Sequence, residues 1–123
     1  MGKKPLIFAI DDDQFYLDEI QMEIEPYADC RLFLGPNDFE QQVKPEDLKK
    51  VDLILVDYDY GSGTAVKSQI ADYIRKDLLF EGKLVLCSLH EHFMKDEERI
   101  RQDYDAVIHK RDLCWERLSE LLG

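Results

Sequence analysis

The sequence predicts an α/β fold in which helices cover both faces of a doubly wound, five-stranded parallel sheet. Three observations support this class. Four short runs of residues are continuously apolar, which is typical of strands that are buried on both faces. Amphipathic helical patterns lie between these runs, so strands and helices alternate along the chain. The chain has 123 residues, of which 45% are hydrophobic, and this suits a single domain spanning residues 1–123.

The predicted strands are short and end at polar residues or at turns. The four clear apolar runs comprise residues 6–10, 53–56, 84–87 and 106–109. A weaker run, residues 31–34, is the candidate for the fifth strand, because Gly35 and Pro36 follow it as a turn signal. Right-handed crossovers between parallel strands would place helices on both faces of the sheet.

The predicted helices carry apolar residues at helical spacing. Leu17, Ile20, Ile24 and Tyr27 follow one another at intervals of three, four and three residues, which predicts an amphipathic helix over residues 15–27. Asp13 is the candidate N-cap of this helix. Further helices are expected at residues 36–43, 64–75, 94–102 and after residue 112, and the caps expected for three of them are Asn37, Thr64 and Asp112. The segment 94–102 is charged nearly all round and is the weakest of these patterns.

The charge of the chain limits its partners. Its formal net charge of −11 argues against nucleic acid, because a phosphate backbone needs a basic face. An anionic membrane surface is disfavoured for the same reason. Divalent cations and basic protein surfaces are the partners that such a charge attracts.

The cysteines and the N-terminus point to the cytoplasm. Cys30, Cys87 and Cys114 are odd in number and have no paired spacing, which suits a reducing compartment. Cys87 lies inside an apolar run and is expected in the core. The apolar run near the N-terminus is too short for a signal peptide or a membrane span.

The strand ends carry the candidate functional residues. Residues 11–13, all aspartates, follow the first run; Asp57 follows the third strand, Ser88 the fourth and Lys110 the fifth. In a doubly wound sheet these ends meet at one crevice. Clustered carboxylates repel one another unless a cation enters, and Mg²⁺ prefers such oxygen ligands. A carboxylate nucleophile, a metal, a lysine and a hydroxyl together suit phosphoryl transfer to Asp57.

These residues resemble the receiver domain of two-component response regulators over nearly the whole chain. The motifs are IFAIDDDQ, DLILVDYD, LVLCSLH and AVIHKRD, in the order and spacing of that family. The resemblance implies a flavodoxin-like sheet of order 2-1-3-4-5. It also implies a cytoplasmic switch, rather than an enzyme that turns over, phosphorylated by a histidine kinase or phosphotransfer protein. A protein partner, or an output domain outside this sequence, would read the switch.

The resemblance also assigns roles to individual residues. Asp57 corresponds to the phosphoacceptor, and Asp11 and Asp12 correspond to the acidic pair that binds Mg²⁺. Asp59 corresponds to the position whose backbone carbonyl completes the metal site, which would also include Asp57. Ser88 and Lys110 correspond to the residues that bind the phosphoryl oxygens.

The chain departs from the family pattern at several positions. The loop after Asp57 is Asp59-Tyr60-Gly61-Ser62-Gly63, where the family usually has a Met-Pro and then an Asp-Gly pair. Leu89 is bulky where a small residue is usual, and could restrict small phosphodonors. Val107 stands in place of the family's switch aromatic, and Arg111 in place of its proline.

Three alternative interpretations remain open at the level of sequence. The chain could be a degenerate receiver that binds a partner without phosphorylation. The Asp57-x-Asp59 pair also resembles the signature of haloacid-dehalogenase-type phosphatases, although that signature normally follows the first strand of a longer chain. Cys87, His90 and His92 form a string that could suggest zinc.

Overall fold

Five parallel strands form one sheet in the order β2-β1-β3-β4-β5. The computed structural model describes residues 4–57, 70–88, 102 and 104–123. The strands are β1 (Leu6–Asp11), β2 (Asp29–Leu34), β3 (Leu53–Asp57), β4 (Lys83–Ser88) and β5 (Ala106–His109). All four neighbouring pairs are parallel. The predicted doubly wound sheet and its strand order are therefore confirmed.

The first helix confirms its predicted cap but ends early. Helix α1 spans Gln14–Ile24, and the Asp13 carboxylate accepts the backbone N–H of Phe15 at 3.0 Å. The prediction that the helix continues to Tyr27 is wrong. Residues 25–27 form a turn, and the ring of Tyr27 stacks on Trp115 with centroids 5.4 Å apart.

The second helix, α2, spans Pro36–Gln42. Its N-cap is Gly35, so the expectation that Asn37 caps it is wrong. Gly35 has a φ of +88°, a conformation that glycine adopts without steric cost, and Pro36 suits the first helical position. A 3₁₀ segment, Pro45–Lys50, then leads toward β3.

The helical segment before β4 differs from its prediction at its end. Residues 70–72 are α-helical and continue as a π-helix, Tyr73–Asp77, two residues beyond the predicted end at Arg75. The expected cap Thr64 lies outside the described residues. Of the helix expected at 94–102, only Gln102 is described, and it is helical.

The C-terminal helix, Trp115–Leu122, begins later than expected. Cys114 is its N-cap, and the prediction of Asp112 as cap is wrong. The reason is that Asp112 belongs to a short 3₁₀ turn, Lys110–Asp112, which follows β5 directly.

The core consists of two apolar layers, one on each face of the sheet. On one face, α1 and the C-terminal helix pack through Leu17, Ile20 and Leu118 against alternate strand residues. Cys87 belongs to this layer, as predicted. On the other face, Phe39 of α2 and Ile74 of the π-helix cover the remaining strand residues. No helix within the described ranges is long and apolar enough to cross a membrane.

Candidate functional site

The predicted site residues lie along the carboxyl edge of the sheet. Asp11 ends β1, Asp57 ends β3, Ser88 ends β4, and Lys110 follows the last residue of β5. β1, β3, β4 and β5 are consecutive neighbours in the sheet, so the backbones of these residues border one edge. The side chains of Asp57 and Ser88 lie outside what the structure describes.

Asp11 and Lys110 form a buried ion pair at this edge. The ammonium Nζ of Lys110 lies 3.1 Å from Oδ2 of Asp11, and the two side chains are only 5% and 2% exposed. Removing two charges from water is costly, so a pair of this kind is stable only with close contact and further hydrogen bonds. The contact joins the ends of two strands that are not neighbours in the sheet, β1 and β5. It therefore spans the ends of β3 and β4.

The other oxygen of Asp11 is held by the turn that follows β1. Oδ1 of Asp11 accepts the backbone N–H of Asp13 at 2.9 Å. Asp12 lies in the same turn and is exposed. Asp13 caps α1, so the three consecutive aspartates have different environments: Asp11 is buried, Asp12 is exposed and Asp13 binds the helix N-terminus.

Tyr16 is a neighbour of Lys110 that the sequence did not reveal. The Lys110 ammonium lies 4.4 Å from the centroid of the Tyr16 ring. The Tyr16 hydroxyl is 3.5 Å from the backbone carbonyl oxygen of Lys110, a long hydrogen bond. Tyr16 immediately precedes Leu17 of the buried stripe in the first turns of α1, and this position beside a strand end was the only signal available.

The predicted metal ligands are only partly described. Asp59 lies outside the described residues, as do Leu89 and the Gly-Ser-Gly turn at residues 61–63. Among the side chains that the structure does describe, no group of three or more His, Cys, Asp or Glu residues could hold a metal ion. The oxygen donors at the end of β1, one buried and one exposed carboxylate, are nevertheless of the type that Mg²⁺ prefers.

The described part of the zinc string does not support a zinc site. Cys87 is 2% exposed and packs in the apolar layer under α1. His90 and His92 lie outside the described residues.

All three cysteines are described and none forms a disulfide. Burial, assisted by the charge of Glu25, raises the pKa of the Cys30 thiol to about 11.

Two departures from the family pattern are visible near Lys110. Val107 is half-buried and packs against the apolar layer that includes Tyr104. Arg111 is exposed in the 3₁₀ turn, where its backbone N–H donates to Nδ1 of His109 at 3.1 Å. Among the residues that the structure describes, the ring of Tyr16 in α1 lies beside Lys110.

The strand order and the helices on both faces of the sheet can be compared with known structures. The chain has the fold of response regulator receiver domains, as comparison with solved structures shows. No protein-family model matches the sequence, and comparison with curated proteins found no relative.

Three of the similar structures illustrate the likeness. A response regulator from Thermotoga maritima has a TM-score of 0.74 at 14% identity, and the match covers 98% of each chain. A receiver domain protein from Clostridium thermocellum has a TM-score of 0.77 at 13% identity and covers 96% of this chain and 90% of that one. A CheY-like receiver domain protein from Methanospirillum hungatei has a TM-score of 0.73 at 16% identity, covering 98% and 94%.

Proposed function

We propose that this chain is a phosphorylation-dependent signalling switch that accepts a phosphoryl group on Asp57. The observation that carries the proposal is the buried Asp11–Lys110 ion pair beside the strand ends of Asp57 and Ser88. Burying a carboxylate and an ammonium at the carboxyl edge of the sheet costs free energy, because both charges lose their hydration. The cost is explained if the same charges serve a ligand that carries more negative charge than Asp11 alone.

In the proposed reaction, a carboxylate oxygen of Asp57 attacks the phosphorus of a phosphohistidine on a kinase or phosphotransfer protein. The phosphorus–nitrogen bond breaks, an acyl phosphate forms, and the released imidazole nitrogen takes up a proton. Lys110 then offers its ammonium to the new phosphoryl oxygens as a point charge, and the hydroxyl of Ser88 donates a hydrogen bond to them.

Asp11, Asp12 and Asp57, together with the backbone carbonyl of Asp59, would hold Mg²⁺. When bound, the ion would neutralise negative charge on the phosphoryl oxygens and on the clustered carboxylates. The contribution of the chain itself is the geometry of the β1 turn, in which the N–H of Asp13 fixes one oxygen of Asp11.

The output would be a change in the surface read by a protein partner or by an output domain. Phosphorylation replaces the single negative charge of the Asp57 carboxylate with the roughly two negative charges of an acyl phosphate, a net gain of about one beside Lys110. Lys110 begins the 3₁₀ turn that leads into the C-terminal helix. A movement of Lys110 toward a new partner would therefore be passed to that helix through only a few residues. We place the protein in the cytoplasm, where histidine kinases deliver phosphoryl groups.

The experiment that tests this function is intact-mass measurement after incubation with Mg²⁺ and a phosphodonor. We expect the mass of one phosphoryl group on the wild type and none on Asp57→Asn. Asp59→Asn is the matched control: it removes an acid two residues away but keeps the backbone carbonyl, so it should still be labelled. Both a small donor and a histidine kinase are needed, because Leu89 could exclude small donors.

A degenerate, phosphorylation-independent receiver is the second candidate. Val107 and Arg111 favour it, because both stand where the family pattern has other residues. Calorimetric titration with Mg²⁺ separates the two functions. A switch should bind Mg²⁺ and lose affinity in Asp57→Asn, whereas a degenerate receiver should show no binding that depends on Asp57. Absence of both Mg²⁺ binding and labelling would refute the switch.

The phosphatase alternative is disfavoured by topology. Asp57 ends the third strand of the chain, whereas the phosphatase signature normally follows the first. Turnover of a phosphomonoester by the wild type, lost in Asp59→Asn, would support that alternative instead.

A further inference from the structure

We propose that Tyr16 is a positioning residue for Lys110, and that its ring holds the ammonium at the carboxyl edge of the sheet before any phosphoryl group arrives. The inference rests on the proposed function for its consequence, but the contact itself does not depend on it. No residue of the family pattern quoted above corresponds to Tyr16, which comes from the first turns of α1.

The contact is a cation–π interaction that is largely shielded from solvent. The Nζ of Lys110 lies 4.4 Å from the ring centroid, within the distance at which a ring face attracts a cation. The Lys110 side chain is only 5% exposed, so water competes little for the ammonium and the attraction is stronger than at a surface. On the same ammonium, the carboxylate of Asp11 is 3.1 Å away.

Tyr16 also contacts the backbone of the residue that it positions. Its hydroxyl lies 3.5 Å from the carbonyl oxygen of Lys110, so one side chain contacts Lys110 near both ends. The ring in turn packs against the apolar layer formed by α1 and the C-terminal helix. Packing in the core therefore contributes to fixing the position of the ring.

The consequence for phosphorylation is preorganisation. The side chain of lysine has a flexible four-carbon stem, and its ammonium is strongly hydrated when it can reach water. A ring face that keeps the ammonium in place removes part of the entropy cost of binding an anion there. Loss of the ring should therefore weaken the binding of a phosphoryl mimic, even though Tyr16 does not itself contact the phosphoryl group.

The first experiment measures Lys110 directly, without phosphorylation. We treat the protein with an amine-acetylating reagent and follow each lysine by peptide mass spectrometry. The rate at Lys110 is divided by the rate at Lys49, an exposed lysine of the 3₁₀ segment, in the same molecule. We expect Tyr16→Leu to raise this ratio about tenfold, the scale of a desolvated cation–π contact. Tyr16→Phe, which keeps the ring, should stay within about twofold of the wild type.

A fluorinated phenylalanine at position 16 separates charge from packing. Fluorination withdraws electron density from the ring face but changes the shape of the ring little, so it weakens attraction for a cation specifically. We expect an acetylation ratio between those of Tyr16→Phe and Tyr16→Leu. An unchanged ratio in Tyr16→Leu, or a fluorinated ring that behaves as Tyr16→Phe does, would overturn the proposal.

The second experiment measures the consequence with beryllofluoride and Mg²⁺. We expect Tyr16→Leu to weaken beryllofluoride binding about tenfold. In a Lys110→Met background the same change should have no further effect, because the ring then has no cation to position. An equal loss in both backgrounds would show a merely structural role for Tyr16. If the wild type itself does not bind beryllofluoride, the proposed function fails, while the acetylation result still decides the role of Tyr16.

Discussion

An ion pair lies at each end of the parallel strands, one at the edge formed by their amino ends (the amino edge) and one at the carboxyl edge. The two pairs differ in burial and in geometry. At the carboxyl edge, Lys110 and Asp11 are almost fully buried. At the amino edge, Arg75 and Asp105 lie 2.7 Å apart but are 30% and 37% exposed. The closer pair is thus the one nearer to water.

At the amino edge, Arg75 binds several acceptors at once, and we call this set of contacts the clamp. One guanidinium nitrogen of Arg75 donates to the carbonyl oxygens of Phe80 and Gly82 at 2.9 and 2.8 Å, and another donates to Asp105. Asp105 in turn accepts the backbone N–H of Leu84 at the start of β4. A planar guanidinium with several donors suits a fixed geometry of this kind.

The carboxyl-edge pair has a different chemistry. Lys110 is a point charge on a flexible stem, and its described contacts include a carboxylate oxygen of Asp11 and the ring face of Tyr16. Such a group can exchange one anionic partner for another without disturbing backbone hydrogen bonds. The contacts of Arg75 indicate that the amino edge maintains the fold, whereas ligand exchange at the carboxyl edge is what the proposed function requires of Lys110.

The largest expected effect is at the buried pair. Lys110→Met should lower the free energy of unfolding by about 3 kcal/mol, because it leaves the Asp11 carboxylate buried without its ammonium. Chemical denaturation in the absence of Mg²⁺ measures this loss. The control is the double variant Asp11→Asn/Lys110→Met, in which removal of both charges should recover part of the stability. A loss below that of an exposed pair would contradict the burial argument.

A smaller loss is expected at the amino-edge clamp. Arg75→Lys should lower the free energy of unfolding by about 2 kcal/mol, because the single nitrogen of an ammonium cannot occupy both positions from which the two guanidinium nitrogens reach the carbonyls and the carboxylate. The proposed phosphorylation of Asp57, measured by intact mass, should be the same in this variant as in the wild type. Lys76→Gln is the matched control, since Lys76 makes only a 3.7 Å exposed pair with Asp72. Its effect should be within about 0.5 kcal/mol. Equal losses in both variants would show that the clamp adds nothing.

The smallest expected effect is stabilising and lies near the same edge. Leu79 has a φ of +58° and is 70% exposed, so its side chain gains little from packing while its backbone is strained. Leu79→Gly should raise the free energy of unfolding by about 0.5 kcal/mol, after the greater unfolded-state entropy of glycine is subtracted. Thermal unfolding measures this gain in the free energy of unfolding. As a control, the affinity for beryllofluoride should not change. A destabilised Leu79→Gly would show that the side chain packs more than its exposure suggests.

The accuracy of the sequence-based predictions followed the range of the forces involved. Continuous apolar runs located β1, β3 and β4 because these strands are buried on both faces, and such burial requires apolar residues in succession. The edge strand β5 was located in the same way, although only Ile108 in it is fully buried. The start of β2 was placed two residues late, since Asp29 and Cys30 of this edge strand carry no apolar pattern. The N-cap of α1 at Asp13 was correct because a cap is a local hydrogen bond.

The errors occurred where distant residues decided a local outcome. Tyr27 continues an apolar stripe, but its ring stacks on Trp115 from the far end of the chain, outside the helix. Asp112 has the chemistry of a cap, but the 3₁₀ turn at Lys110 moves the helix start to Cys114. The π-helix Tyr73–Asp77 has no signature in the residue order.

By itself the sequence determined the fold class and the candidate residues at the strand ends, because alternating buried strands and helices admit few topologies. The roles predicted for the site residues, Asp11, Asp12, Asp57, Asp59, Ser88 and Lys110, stay predictions. Only the tertiary structure decided that Asp11 and Lys110, 99 positions apart in the chain, form one buried ion pair with Tyr16 beside it. The physical reason is that such a contact depends on the order of strands in the sheet and on the distance between charges, and neither is encoded in local spacing.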